Sequence, residues 1–311
     1  FCVMSIGGLE YPMMIAVIIG ITILVFFIMK LAPGDPARMI LGDNATEEAL
    51  AAKRAELGLD KPLLVQYGNY MIGLLHGDMG ISWTNERSVS DEVFSRFPAT
   101  LKLAAVSALV SIVLAIPLGI LAAIKRNTFF DHASMALSLI GISMPAFWLA
   151  LMLMLLFSVR LGWFPVQGAA DGWRSYVLPS IAIGFMNMAA IARTTRSSML
   201  DTISQDYIRT ARAKGISENE VIMHHAFRNA LIPTVTVIGV QLGGLIGGAV
   251  LTETVFAWPG LGRYIVQSVN GRDIPAVMGC IIVMAVAFSL VNLLVDLLYG
   301  FIDPRIKSMY K

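Results

Sequence analysis

At 311 residues with a formal net charge of +2, the chain has no basic excess that would draw it to nucleic acid. Apolar residues make up 57% of it and charged residues only 14%, against about a quarter charged in an ordinary soluble domain. That balance excludes a water-soluble protein of this length, which would lack the polar residues to cover its surface.

The apolar residues are gathered into six stretches: Pro12–Leu31, Ala99–Ile124, Ala133–Val159, Tyr176–Ala192, Leu231–Val255 and Ala276–Phe301. Each approaches or exceeds the roughly 20 residues a helix needs to cross a hydrocarbon layer of about 30 Å. They are apolar all round and lack a single amphipathic stripe, the pattern of helices with lipid or other helices on every side. The expected fold is therefore an all-α, multi-pass integral membrane protein with six transmembrane helices. The first stretch is too long for a signal-peptide core and no clear small-residue cleavage site follows Lys30, so it reads as a retained helix.

Basic residues orient the chain. The connections 125–132 and 193–230 and the tail hold Lys125, Arg126, Arg193, Arg196, Arg209, Arg212, Lys214, Arg228, Arg305, Lys307 and Lys311. The alternate connections, 160–175 and 256–275, hold only Arg160, Arg174, Arg263 and Arg272. The positive-inside rule puts the first set, and both termini, in the cytoplasm. Residues 1–11 carry no Lys or Arg and the chain opens on Phe1, so the expectation is that a basic start has been lost or left unnumbered.

In chain order, residues 1–32 form an N-terminal region with the first span. Residues 33–98 form an external helical segment, the part expected to be aqueous. The turn cluster Ala32-Pro33-Gly34-Asp35-Pro36 ends the first helix. Asn44 followed by Glu47 fits a capping box for a helix over Thr46–Leu57. A second helix is expected over Leu64–Leu75, with Leu64, Tyr67, Met71, Leu74 and Leu75 on one face. This segment can cover the outer mouth or meet a partner. Residues 99–304 hold the other five spans, interrupted by Pro117, Pro145, Pro179 and Pro233, and residues 305–311 are a cytoplasmic tail.

The fifth span carries Gly239, Gly243 and Gly247 at intervals of four, as well as Gly244 and Gly248. Such spacing lets two helix backbones approach closely. The sharper alternative sets Gly243, Gly244 and Gly247 beside a translocation pathway, with Gln241 as the polar group touching a solute. Asn292, Asp296 and Glu253 are polar groups within spans, where structural partners are the ordinary role.

The longest cytoplasmic connection, 193–230, reads as two helices around a turn. Asp201 or Thr202 starts the first, Gly215-Ile216-Ser217 makes the turn, and Ser217 with Glu220 forms a capping box for the second. A short helix–turn–helix standing on two spans presents a knob to the cytoplasm.

In this loop, Asp206-Tyr207-Ile208-Arg209-Thr210-Ala211-Arg212-Ala213-Lys214-Gly215 resembles the coupling motif of ABC-importer permeases, in the variant found among dipeptide, oligopeptide, glutathione and nickel permeases. Leu57-Gly58-Leu59-Asp60-Lys61-Pro62, His76-Gly77-Asp78, Arg228-Asn229-Ala230-Leu231-Ile232-Pro233 and Glu253-Thr254-Val255-Phe256-Ala257-Trp258-Pro259-Gly260-Leu261-Gly262 are similar to that group as well. The general motif reads E-A-A, three residues, G, nine residues, I-x-L-P; only Ala211 and Gly215 match it here, the remainder following the peptide-permease variant.

The resemblance implies a type I ABC-importer permease fold and the first permease of a pair, in the bacterial inner (cytoplasmic) membrane. It implies a second homologous permease, two ATPase subunits that bind ATP and Mg, an external substrate-binding protein and surrounding lipid as partners. Tyr207, Arg209, Thr210, Ala211, Arg212, Ala213, Lys214, Gly215, Ser217 and Glu218 would be the ATPase-coupling residues, a larger side chain at Ala211 or Gly215 keeping the knob from seating. The implied cargo is di- or oligopeptides, with glutathione, a nickel chelate or another small solute as alternatives.

No G-x-x-x-x-G-K-[ST] loop occurs, so ATP hydrolysis belongs to other chains. No H-E-x-x-H or G-x-S-x-G motif suggests an intramembrane enzyme, and His224 and His225 diverge too far around a helix to ligate one metal together. The expectation is a chain with no catalytic residues, no metal and no cofactor of its own. A gradient-driven secondary transporter, the competing class, needs buried charges along several helices and has no use for the loop.

Overall fold

The computed structural model describes the backbone of residues 2–31 and 34–302, and side chains for 15–31, 34–295 and 297. The expected tail 305–311, Phe1, the Ala32-Pro33 pair and the Asp296 side chain lie outside the described residues.

Among the described residues the regular structure is helical, with a single isolated bridge between Ile81 and Ser88. The helices are α1 (Cys2–Leu31), α2 (Pro36–Leu41), α3 (Glu47–Glu56), α4 (Leu63–Leu75), α5 (Val89–Ile124), α6 (Phe129–Ser143) and α7 (Ala146–Leu153), the last continued by a π-helical segment over Met154–Arg160. There follow α8 (Trp173–Ile203), α9 (Asp206–Ala213), the single turn α10 (Glu218–Glu220), a π-helical segment over Val221–Phe227, α11 (Arg228–Val255), α12 (Leu261–Asn270) and α13 (Ile274–Ile302). Helix α5, helix α8, the run Glu218–Val255 and helix α13 are each long and apolar enough to cross a membrane. The broken pair α6–α7 supplies a fifth crossing when counted as one, and α1 is a 30-residue helix.

The third span departs from expectation. Instead of one helix over Ala133–Val159, α6 and the helix beginning at Ala146 meet at an angle of 108°. The cause is local: Pro145 has no N–H to continue the ladder and forces its predecessor out of the helical region. Met144 accordingly lies at φ −89°, ψ 128°. Pro179 and Pro233, by contrast, sit inside continuous helices, where neighbouring helices can satisfy the freed carbonyls.

The chain divides into two compact units. Of the described residues, one unit contains those of Val3–Thr100 with Pro259–Ala287; the other contains Leu101–Trp258 with those from Phe288 to Ile302. In the first, Phe26 packs on Ile274 and Met278, while Val89 and Val93 pack on Leu261, Tyr264, Ala276 and Cys280. Buried Asp273 accepts hydrogen bonds from Ser82 Oγ and, at 3.2 Å, from the Thr84 N–H, fixing the 82–88 turn to the start of α13. Arg96 lies 4.4 Å from the centroid of the Tyr264 ring and pairs with Glu92.

The cap of α3 also differs from expectation. Thr46 rather than Asn44 caps it, its Oγ1 accepting from the Ala49 N–H at 3.3 Å. Asp35 caps α2 and receives the Arg54 guanidinium at 2.9 and 2.6 Å. Burial pushes the Asp35 carboxyl up, but the hydrogen bonds from Arg54 and the Ala37 N–H outweigh it and hold the carboxyl below its ordinary range.

In the second unit α8 is the central element, packed by α11, α6 and α7. Two glycines allow α5 to cross it closely. A Cβ at Gly119 would stand 2.6 Å from the Ala192 carbonyl oxygen, and one at Gly184 would stand 2.9 Å from that of Ser107. At one end of this packing Asp131, 2% exposed, accepts from Arg196 at 2.5 and 2.7 Å and from the Asn127 N–H at 2.9 Å.

Gly119→Leu is expected to lower the melting temperature of the purified transporter in detergent sharply, because the obstructing atom is backbone and cannot yield. Asp131→Ala is expected to cost about 3 kcal/mol, the penalty of leaving a largely buried guanidinium unpaired; unchanged melting in both variants would contradict this packing. Because the Asp35 carboxyl is lowered in the folded state, its contribution should be full at neutral pH. It should disappear as pH falls below the unfolded carboxylate range and through that lowered value, a loss measurable as acid-dependent proteolysis between α2 and α3 and absent in Asp35→Asn.

Candidate functional site

The connection 193–230 is a packed structure. Helix α8 runs on to Ile203, so Asp201 and Thr202 lie in its last turn and do not start a new helix as expected. The first loop helix is α9, opening at Asp206 after extended Gln205 (φ −73°, ψ 150°). Ile208 and Ala211, one turn apart on α9, are buried together with Val221, Ile222 and Ala226 of the π-helical segment. Met199 of α8, Ala230 of α11 and Ala123 of α5 complete the same cluster. Three long helices and the knob thus share one apolar core.

The turn is closed by backbone geometry. Gly215 adopts φ +78°; its N–H donates to the Arg212 carbonyl at 3.0 Å, and the Ile216 N–H donates to that of Ala211 at 3.4 Å. This is the paired ending in which the residue after the cap is left-handed and the next apolar residue folds back onto the helix, as Ile216 does against the cluster. Ser217 Oγ then accepts from the Glu220 N–H at 3.4 Å, as expected from the sequence. Arg212 spans the turn with two hydrogen bonds to Glu218, at 3.0 and 2.7 Å.

These facts give two residues a role within the chain itself. Ala211 faces its own chain's core, only 6% exposed, so a larger side chain there disrupts the knob itself before any partner is met. Around Gly215 a Cβ would meet nothing of its own chain within 4 Å; within the chain the requirement is the left-handed backbone. Arg212, Ser217 and Glu218 tie the turn together.

The outward face of the knob carries Tyr207, Arg209, Thr210, Ala213 and Lys214, all exposed. Tyr207 is steadied by the Asn229 Nδ2–H, which donates to its hydroxyl at 3.0 Å. Arg209, whose side chain is 77% exposed, lies 3.7 Å from Asp206, too loose and wet a pair to neutralise it. The result is a basic, partly aromatic surface on a rigid support.

The residues set beside a pathway by their spacing do not form one site. Gly243 is buried against α13, where a Cβ would stand 2.5 Å from Asn292 Oδ1 and 3.1 Å from Phe288; it serves helix packing. Gly244 and Gly247 are exposed, with open space where a Cβ would be. Gln241 is half-buried and donates to Asn187 Oδ1 at 2.9 Å. Asn187 was missed in the sequence, although an amide in the middle of a span is a signal for it. The Asp131–Arg196 tie was missed as well, and its 65-residue separation leaves no local trace. Glu253 is fully buried near the end of α11. Among the described residues no group of three His, Cys, Asp or Glu could hold a metal ion.

Comparison with known proteins accords with this architecture. Residues 115–308 match the family of the binding-protein-dependent transport system inner membrane component, and residues 11–104 match the N-terminal domain of such membrane components. The chain is 45% identical over 322 residues to the dipeptide transport system permease protein DppB of Alkalihalophilus pseudofirmus, covering 95% of this chain and 97% of that protein. It is 46% identical over 294 residues to the glutathione transport system permease protein GsiC of Salmonella typhimurium, covering 94% of this chain and 96% of that one. An inward-facing structure of the MetNI methionine ABC transporter superposes with a TM-score of 0.58 at 19% identity, covering 68% of this chain and 95% of the matched chain; at that identity the likeness speaks to fold alone. With both parts of its length matched and its helices arranged as in an importer permease, the chain belongs to the family of binding-protein-dependent transport system inner membrane components, as a non-catalytic permease subunit of an ABC importer.

Proposed function

We propose that this chain is the first of two homologous permeases in a bacterial inner-membrane importer of short peptides, and that its α9 knob docks into ATPase subunits that bind ATP and Mg. The observation that carries the reading is the shared core of the loop. Ile208 and Ala211 pack with Met199, Ala230 and Ala123, so a push on the exposed face of α9 passes to α8, α11 and α5 together. A docked knob transmits work only if it stays docked in both states of the motor. Arg209 and Lys214 supply the charge for that contact and Tyr207 the apolar anchor.

In this scheme closure of two ATPase subunits moves the coupling helices, turns the bundle outward, and lets it accept solute from an external binding protein. The cargo named for both relatives, dipeptide and glutathione, is a small peptide with amine and carboxylate ends, which supports that cargo class here. Glutathione itself is the second reading, favoured by the 46% identity to the GsiC permease. Gly244 and Gly247 remain candidates for a pathway or for the contact with the second permease.

The test is uptake of labelled dipeptides, tripeptides, glutathione and nickel by cells deleted for this permease. Restoration of a peptide uptake by the wild-type chain is the expected result; loss and restoration of glutathione uptake alone selects the second reading, and restoration of nickel uptake alone contradicts both. In the same assay Arg209→Glu with Lys214→Glu should insert normally and yet lower ATP-driven uptake by roughly tenfold or more, the scale of a broken interfacial charge pair. Ala211→Arg should abolish uptake by dismantling the loop core. Gly215→Ala should cost only about 1 kcal/mol of left-handed strain and leave most transport in place, a contrast that purely steric seating would not give.

A further inference from the structure

Helices α3 and α4 are neighbours in the external segment, yet they suit different media. Five of the ten residues of α3 are charged. Helix α4, Leu-Leu-Val-Gln-Tyr-Gly-Asn-Tyr-Met-Ile-Gly-Leu-Leu, has no charged residue, and none of its thirteen residues is buried. Leu64, Ile72 and Leu75 are 74%, 58% and 83% exposed. Together with Gly68, where a Cβ would meet open space, they recur at i, i+4, i+8 and i+11, one continuous stripe along the helix. In water that stripe would be an uncovered apolar patch.

The neighbouring face of α4 fixes its level. The Tyr67 hydroxyl shares a hydrogen bond of 2.9 Å with Thr22 Oγ1 of α1, and the Tyr67 ring lies 5.5 Å from that of Phe26. Thr22 is eight residues before Lys30, about 12 Å along the helix at 1.5 Å per residue, well inside the apolar run of α1. Lys30 marks the top of that run: its Nζ is 5.7 Å from the Trp83 ring and 5.8 Å from Phe26, the basic and aromatic company typical of a membrane–water boundary. A helix whose side chains reach from that boundary down to Thr22 is not surrounded by water.

We infer that α4 is an interfacial helix, its Leu64–Gly68–Ile72–Leu75 stripe immersed in the outer-leaflet lipid at the headgroup–acyl boundary, while Tyr67 holds it to α1. Helices of this kind lie in the interface plane with one apolar face about 5–10 Å deep. The occupant of the stripe is phospholipid, so the external segment is only partly aqueous: α3 faces water and α4 rests in the bilayer. The segment is thereby anchored to the membrane surface by α4 as well as by its covalent link to α1.

The experiment uses the complete transporter, with its partner subunits, in phosphatidylcholine vesicles. In a Cys2→Ser, Cys280→Ala background, single cysteines at Leu64→Cys, Ile72→Cys and Leu75→Cys carry an environment-sensitive fluorophore, with Glu48→Cys on α3 as the water-facing control. Replacing the phosphatidylcholine by an analogue brominated on its acyl chains should quench the three stripe labels at least twofold and leave the Glu48 label unchanged; aqueous iodide should do the reverse. Stripe labels quenched by iodide instead would put α4 in water and overturn the proposal. Labels shielded from both quenchers would overturn it as well, and would assign the stripe to a protein partner.

Discussion

The apolar cluster under the loop that carries α9 is the contact on which the proposed mechanism depends. Ile208 and Ala211 by themselves bury little, but they do so against the ends of three long helices, at Met199, Ala230 and Ala123. An interior packed to protein density transmits displacement and does not absorb it. The loop is therefore attached to the helices over a surface, not merely through its two peptide connections. The left-handed turn at Gly215, the Ser217 cap and the Arg212–Glu218 fork orient the knob; the cluster makes it stiff.

Above that cluster, the second unit is assembled by removal of side chains and by one buried ion pair. Gly119 and Gly184 let α5 approach α8, and Gly243 lets α11 approach α13 at Asn292. Lipid gives helices no hydrophobic reason to associate, so close backbone approach and interhelical hydrogen bonds carry more of the burden. Asp131 with Arg196 and Gln241 with Asn187 supply such bonds. The bent pair α6–α7 packs on the same central helix α8, which explains how an angle of 108° persists without a continuous hydrogen-bond ladder.

The first unit solves a different problem, that of a segment which carries charged and apolar helices side by side and must also pack on α1. Asp273, Asp35 and Glu92 hold its turns and caps through hydrogen bonds from Ser82, Arg54 and Arg96. Tyr67 and Phe26 hold it to α1. The charged surface of α3 and the uncharged one of α4 fit the two media inferred for them.

The helical class, the apolar spans, the Ser217 cap and the resemblance of the loop to a coupling motif were legible in the residues, because composition and capping are local signals. The break at Met144-Pro145 was half legible: the proline is visible, but whether a helix bends or continues, as at Pro179 and Pro233, depends on the neighbours that satisfy its carbonyls. What only tertiary structure decided is direction. It turned Ala211 inward and Arg209 outward, put Gly243 against Asn292 while leaving Gly244 and Gly247 open, joined Asp131 to Arg196, and divided the apolar side chains of α4 between α1 and the exposed stripe. A spacing says which residues share a face; only the packing of the other helices says what that face meets.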